Sequence, residues 1–193
     1  MTSEKKLAGF NAPSCELDDF RTPEYLLKFI RMRWGLHYDA ACIEGVNNVV
    51  PKCLRLEDEW PKKRWPTTIY SNPPFDTDSI IKWIQKGHDW VNKVAEEKKY
   101  KRNERIHVML IPNKLTVVGL QDECTIGTQP IWNDTIFLGG RICFEGPNIV
   151  KGGSSRNGCV LLIQRSFGVL NHTVEFIPLK RIKAIFKGRD RSD

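Results

Sequence analysis

The stretch with the most chemical potential is Tyr-Ser-Asn-Pro-Pro-Phe at 70–75. Two consecutive prolines fix two φ angles and remove two backbone donors, so a strand reaching them must end there. The result is a stiff turn that can hold one amide, Asn72, and one ring, Phe75, in a fixed relation to a planar ligand. Two other places offer chemistry at comparable positions. Asp39 closes Leu-His-Tyr-Asp (36–39), and Pro112-Asn113-Lys114 closes the apolar run Ile-His-Val-Met-Leu-Ile (106–111). In open α/β sheets, ligands collect beyond the carboxyl ends of the strands. Turn residues also gather there without function, so position alone leaves a plain rigid turn as an equal reading.

The elements that must position these residues follow from the pattern. Residues 22–34 place Leu26, Leu27, Ile30 and Trp34 on one helical face, with Thr22 able to cap and Pro23 suited to the first position. Strands are expected at 36–42 and, weakly, at 52–56. The β-branched run 67–71, bounded by Pro66 and Pro73, is a further strand. Residues 76–99 form a long amphipathic pattern with Ile80, Ile84, Val91, Val94 and Ala95 on one face and Asp78 as the expected N-cap. The continuous apolar run 106–112 suits a strand buried on both faces. Further strands are expected at 135–145, 158–166 and 171–179. This order predicts an α/β sandwich with an antiparallel C-terminal end. Residues 1–17 lack periodicity and read as a flexible lead-in to a domain over 18–179. The basic tail 180–193, with Ile182, Ile185 and Phe186 among its cations, reads as a docked edge element or a frayed end.

A chain of 193 residues can bury one full core, and 40% hydrophobic with 27% charged residues fits a globular protein. Its formal net charge of +7 suits a polyanionic partner such as nucleic acid. The cations gather at 96–105, 151–158 and 180–193. The six cysteines form no CxxC pair and read as reduced, buried thiols of an intracellular protein. No metal is expected: His37, His88, His107 and His172 lack ligand spacing and read as surface or core residues. The N-terminus has no apolar leader segment and no run is long enough to span a bilayer, so no membrane partner is expected.

The order of motifs adds a resemblance. Asn-Pro-Pro-Phe matches the [DNS]-P-P-[YFW] pattern of amino-methyltransferases. The wider chain is similar to the phage-type, Dam-like DNA N-6-adenine methyltransferase family. Its motifs run in order from "DFRTPEYL" (19–26) through "DAAC" (39–42), "EDEW" (57–60), "SNPPF" (71–75) and "MLIPN" (109–113) to "GRICF" (140–144) and "GCVLLI" (158–163). The resemblance implies a Rossmann-like methyltransferase sandwich around a mostly parallel sheet. It also implies S-adenosylmethionine as cofactor, S-adenosylhomocysteine as product and DNA as partner. Two departures stand out. The glycine-rich loop that many methyltransferases place after the first strand is missing, and Phe75 replaces the commoner tyrosine.

Carried over by position, the resemblance assigns the catalytic platform to Asn72, Pro73, Pro74 and Phe75. Thr22 and Pro23 would meet the methionine end of the cofactor. Asp39 would meet its amino or ribose groups, and Asp58 its ribose or adenine edge. Thr22 could equally be a plain helix cap, and Asp58 a solvated charge. Lys98, Lys99, Lys101, Arg102, Lys151 and Arg156 are the expected DNA-backbone contacts. Arg141 is either a structural ion pair or a contact to phosphate or to a flipped nucleotide. The implied reaction is direct attack of adenine N6, flipped from the duplex, on the activated methyl group. The other readings are the same chemistry on RNA adenine, cytosine N4 or a protein glutamine, and an inactive nucleic-acid-binding relative. The implied setting is intracellular.

Overall fold

The computed structural model describes residues 21–41, 52–61, 67–96, 104–145, 158–166 and 172–187. In chain order these form α1 (Glu24–Trp34), β1 (Tyr38–Ala40), β2 (Cys53–Leu54), β3 (Thr67–Ser71), α2 (Thr77–Glu96) and β4 (Arg105–Pro112). There follow α3 (Val118–Glu123), the hairpin strands β5 (Thr125–Ile126) and β6 (Gln129–Pro130), then β7 (Asp134–Gly139), β8 (Cys159–Arg165), β9 (Thr173–Pro178) and α4 (Leu179–Lys187).

Seven of the described strands make one sheet in the order β2-β1-β3-β4-β8-β7-β9. Pairing is parallel throughout except that β8 runs against both of its neighbours, β4 and β7. The expected antiparallel C-terminal end is therefore a single reversed strand, because β9 pairs parallel with β7. This is the mostly parallel, Rossmann-like methyltransferase arrangement expected from the sequence.

Helices cover both faces. Alternate residues of β4 divide between them: Ile106, Val108 and Leu110 join Leu26, Ile30, Leu179 and Ile182 of α1 and α4 in one core. Met109 and Ile111 join Ile80, Trp83, Ile84 and Leu120 of α2 and α3 in the other. A strand covered on both faces needs no polar alternation, which explains why 106–111 reads as nearly continuous apolar sequence. On α2, Ile80, Ile84 and Val91 are buried as their spacing predicts, together with Trp83 and Trp90. Among the described residues, no helix is long and apolar enough to cross a membrane.

Several local expectations give way. The strand beginning near 135 stops at Gly139. Gly140 sits at φ 125°, where side chains are rarely tolerated, and turns the chain so that Ile142 and Phe144 bury under α1. The helix α2 is capped by Asp76 rather than Asp78: Ser79 N donates to Asp76 Oδ1 at 2.7 Å, the spacing an N-cap requires. Residues 180–187 of the basic tail belong to α4, which begins at Leu179 and packs Leu179 and Ile182 onto α1. Cys124 and Cys159 are buried free thiols, but Cys143 is exposed and Cys53 is exposed and disulfide-bonded, against the uniform reduced and buried expectation.

Candidate active site

Among the parallel strands, the sheet order reverses at β1. From β1 the chain passes outward to β2 on one side, then returns to β3 on the other. In sheets of this kind such a switch point opens a crevice at the carboxyl ends of the strands, the usual ligand position. The register sets Asp39 level with Tyr70 and Ala40 level with Ser71, so Asn72 follows directly at the mouth of this crevice. Ala41, the residue that follows β1, has φ 69°, a left-handed conformation that costs a non-glycine residue about 1–2 kcal/mol. The strained alanine stands where a glycine-rich loop would otherwise begin.

The N-terminus of α1 reaches the same place. Thr22 Oγ1 and the Tyr70 hydroxyl share a buried hydrogen bond of 2.6 Å. Thr22 makes no side-chain cap, and Pro23 occupies the N-cap position. Its hydroxyl is therefore a tie between α1 and β3, one residue before Ser71. Thr22, Pro23, Asp39 and the 72–75 turn, drawn from three separate elements, thus meet at one rim.

The turn is anchored from four sides. Behind it, Ser71 Oγ lies 2.8 Å from His107 Nε2, and His107 Nδ1 lies 2.8 Å from Gln164 Oε1. Gln164 Nε2 donates to the carbonyls of Ile84 and Ile131 at 2.9 and 3.0 Å, which fixes the amide orientation. Its oxygen must then accept from His107 Nδ1–H, so Nε2 carries the lone pair and accepts the Ser71 hydroxyl proton. Gly87 makes room for this relay: a Cβ there would lie 2.0 Å from His107 Nδ1. Ahead of the turn, Lys114 Nζ donates to the Phe75 carbonyl at 2.7 Å. On the flank, the Phe75 ring meets Phe144 edge-on, with centroids 5.4 Å apart and planes at 67°. Below it, Asp76 starts α2. Asn72 itself is half-buried, and its side-chain oxygen is closed off from solvent.

Burial dominates the electrostatics. Loss of solvation pushes the half-buried Asp39 carboxyl from 3.8 up to about 7. Burial also drives the Tyr70 phenol well above 10, with the Thr22 bond opposing this and Asp39 adding to it. His107 is driven the other way, to about 4, by burial that the Gln164 bond only partly offsets, so it is neutral at physiological pH. For Asp76, burial acts against ionisation, but the two bonds from Ser79 and the nearby Lys114 outweigh it and hold its carboxyl below 3.8.

The remaining expected residues are less concentrated. Asp58 Oδ2 accepts from the Arg55 amide at 2.6 Å and closes its own turn after β2. Arg141 is exposed and makes no ion pair with the described residues. Lys98, Lys99, Lys101, Arg102, Lys151 and Arg156 lie outside the described residues. No group of His, Cys, Asp or Glu side chains among the described residues is arranged to hold a metal ion.

A family model described as DNA N-6-adenine-methyltransferase (Dam) matches residues 9–183. The chain belongs to this Dam family. No curated protein and no solved structure matches the chain. The Dam match spans all the described strands and helices but the last turn of α4, so it covers the crevice and every anchor of the 72–75 turn. Sequence reasoning missed Tyr70, Ser71, His107 and Gln164 as parts of this candidate site. His107 stands inside an apolar run, and Gln164 ends one just before Arg165. A polar side chain inside a doubly covered strand was the one available sign, since it must find a partner.

Proposed function

We propose that the chain is a site-specific DNA methyltransferase that methylates the exocyclic N6 of adenine, using S-adenosylmethionine. The observation that carries this reading is the position of the Asn-Pro-Pro-Phe turn: it is braced at the sheet's switch point, beside a half-buried acid, in a chain of the Dam family.

The residues present fit the cofactor. Asp39 is held short of full ionisation by burial, and a hydroxyl or ammonium donor beside it would restore the charge. Ala41 turns its backbone into a left-handed bend beside the same acid, where a side-chain-poor segment allows close approach. Asp39 would take the ribose or amino groups, and Thr22 and Pro23 would border the methionine end. Asp58 enters only by releasing the Arg55 amide. When bound, S-adenosylmethionine supplies a methyl group already activated by its sulfonium.

What the chain supplies is position. Adenine N6 is a poor nucleophile because its lone pair is delocalised into the ring. The Asn72 side-chain oxygen and the Pro73 carbonyl accept its two hydrogens from out of the ring plane and favour a more tetrahedral nitrogen. The shielded Asn72 oxygen must be uncovered as the base enters. Phe75, steadied by Phe144 and Lys114, stacks on the flipped base and offsets part of the few kcal/mol that unstacking costs. Pro73 and Pro74 keep the acceptors from relaxing, so their dipoles need no reorganisation. Asn72 is neutral and takes no proton, which leaves to water.

The test is incubation of the protein with methyl-tritiated S-adenosylmethionine and plasmid DNA, followed by mass spectrometry of the nucleosides. N6-methyladenine is expected, and its loss in Asn72→Ala. Label confined to cytosine, RNA or protein would move the acceptor, and label entering nothing would overturn the reading.

A further inference from the structure

The strand β9 lies at the outer edge of the sheet beside β7. Its residues Val174 and Phe176 are 59% and 74% exposed, far more than apolar side chains in the rest of the sheet. The Phe176 ring stacks on Phe137 of β7, with centroids 5.0 Å apart and planes at 14°. This aromatic pair borders an open cavity of about 170 Å³, closed by Asn113, Gly139, Gly158 and Pro178. Pockets for whole small molecules run about 300–1,000 Å³, so this one suits a single planar group.

Its place in the fold narrows the occupant. β4, β7 and β9 all point the same way as β3, so Asn113, Gly139 and Pro178 stand on the rim that carries Asn72. The segment leaving Gly139 runs to Phe144, which touches Phe75. Five residues span at most about 18 Å, so the cavity lies within a few nucleotides' reach of the turn. Three cations follow the rim residues of the cavity in sequence. Arg141 follows Gly139-Gly140, and Lys180 and Arg181 follow Pro178-Leu179. All three are exposed, and none is in an ion pair with the described residues. An exposed aromatic plate flanked by cations is the combination that holds a base by its face and its phosphate by charge. A second copy of the chain, docked symmetrically, would press these cations against themselves on a molecule already at +7.

We infer that Phe176 and its cavity, with Arg141, Lys180 and Arg181, form a subsite for a nucleotide of the substrate DNA that flanks the target adenine. The base stacks on Phe176, and the adjoining phosphates lie against the three cations. This rests on the reading of the chain as a DNA methyltransferase.

The test compares Phe176→Ser, the pair Lys180→Gln/Arg181→Gln, and Val174→Ser with the parent chain. Binding of a fluorescent DNA duplex is measured by anisotropy at several salt concentrations, cofactor binding by calorimetry, and mass by light scattering. Phe176→Ser is expected to weaken DNA binding by about five- to a hundred-fold with cofactor affinity unchanged. The double variant is expected to lower the slope of log affinity against log salt by about 2. Val174→Ser, one side-chain repeat farther from the rim, should leave DNA binding unchanged. If the parent methylates DNA and these variants bind it equally well, the subsite is wrong and the activity stands. Dissociation of a dimer by Phe176→Ser and Val174→Ser alike, with DNA affinity unchanged, would make the face a contact between copies. A parent that neither binds nor methylates DNA overturns both.

Discussion

Ser71 donates its hydroxyl proton to a fully buried, neutral His107, 2.8 Å away, immediately before the turn that carries Asn72. The bond joins β3 to β4 on the face opposite Tyr70, and Gln164 extends it to β8 and to the backbone of α2. The end of β3 is thus gripped on both faces, by Thr22 through Tyr70 and by His107 through Ser71. Ser71→Ala is expected to lower the single-turnover rate about ten- to a hundred-fold while cofactor affinity holds, because small displacements of a positioning group are costly. Equal losses in both would make the relay merely structural.

The same relay sets a steric limit. Gly87→Ala would drive a methyl group into the His107–Gln164 pair and force α2 off the sheet. A loss of about 1–3 kcal/mol is expected, read as a lower denaturation midpoint with an unchanged slope.

Two buried groups give opposite pH dependence to stability. His107 has a folded pKa of about 4 against 6.5, so the unfolded chain binds the extra proton and stability is lost as pH falls through that window. Asp39 has a folded pKa of about 7 against 3.8, so the folded chain holds the extra proton and stability declines as pH rises from about 4 to 7. Asp39→Asn should therefore melt higher than the parent chain at pH 8, with the gap closing below pH 4, while losing cofactor affinity. A variant that melts lower at pH 8 would show that the carboxylate is already satisfied in the free protein.

For the same reason, cofactor affinity should rise with pH up to about 7 and level off above it, since a donor ligand selects the ionised Asp39. Calorimetric titrations between pH 5.5 and 8.5 would read this, and a flat profile would remove Asp39 from the cofactor contacts.

Ala41→Gly should stabilise the chain by up to about 1 kcal/mol by relieving the left-handed alanine. Thermal melts of the two proteins at one pH decide it. No gain would place Ala41 outside that region in solution.

Much of the site was legible because its chemistry is local. Two prolines after a β-branched run end a strand wherever it lies, and a continuous apolar run such as 106–111 implies cover on both faces. What escaped were features set by distant partners. Thr22 looked like a helix cap, but Tyr70, 48 residues away, takes its hydroxyl. Asp58 is a local exception: it read as a cofactor contact or a solvated charge, but it accepts from the Arg55 amide three residues away. The helix α3 has a single buried residue, Leu120, and is too short to establish a period. The strand near 135 was read too long because Ile142 and Phe144 continue an apolar alternation after Gly140 has already turned the chain.

The packing of α4 on α1 also has a meaning in time. Helix α1 carries Thr22 to the crevice, yet part of its apolar cover comes from Leu179 and Ile182, made more than 140 residues later. A ribosome that has completed every described strand still holds a chain in which α1 lacks this cover. Seating of Thr22 at the end of β3 is thus expected to wait until α4 has emerged.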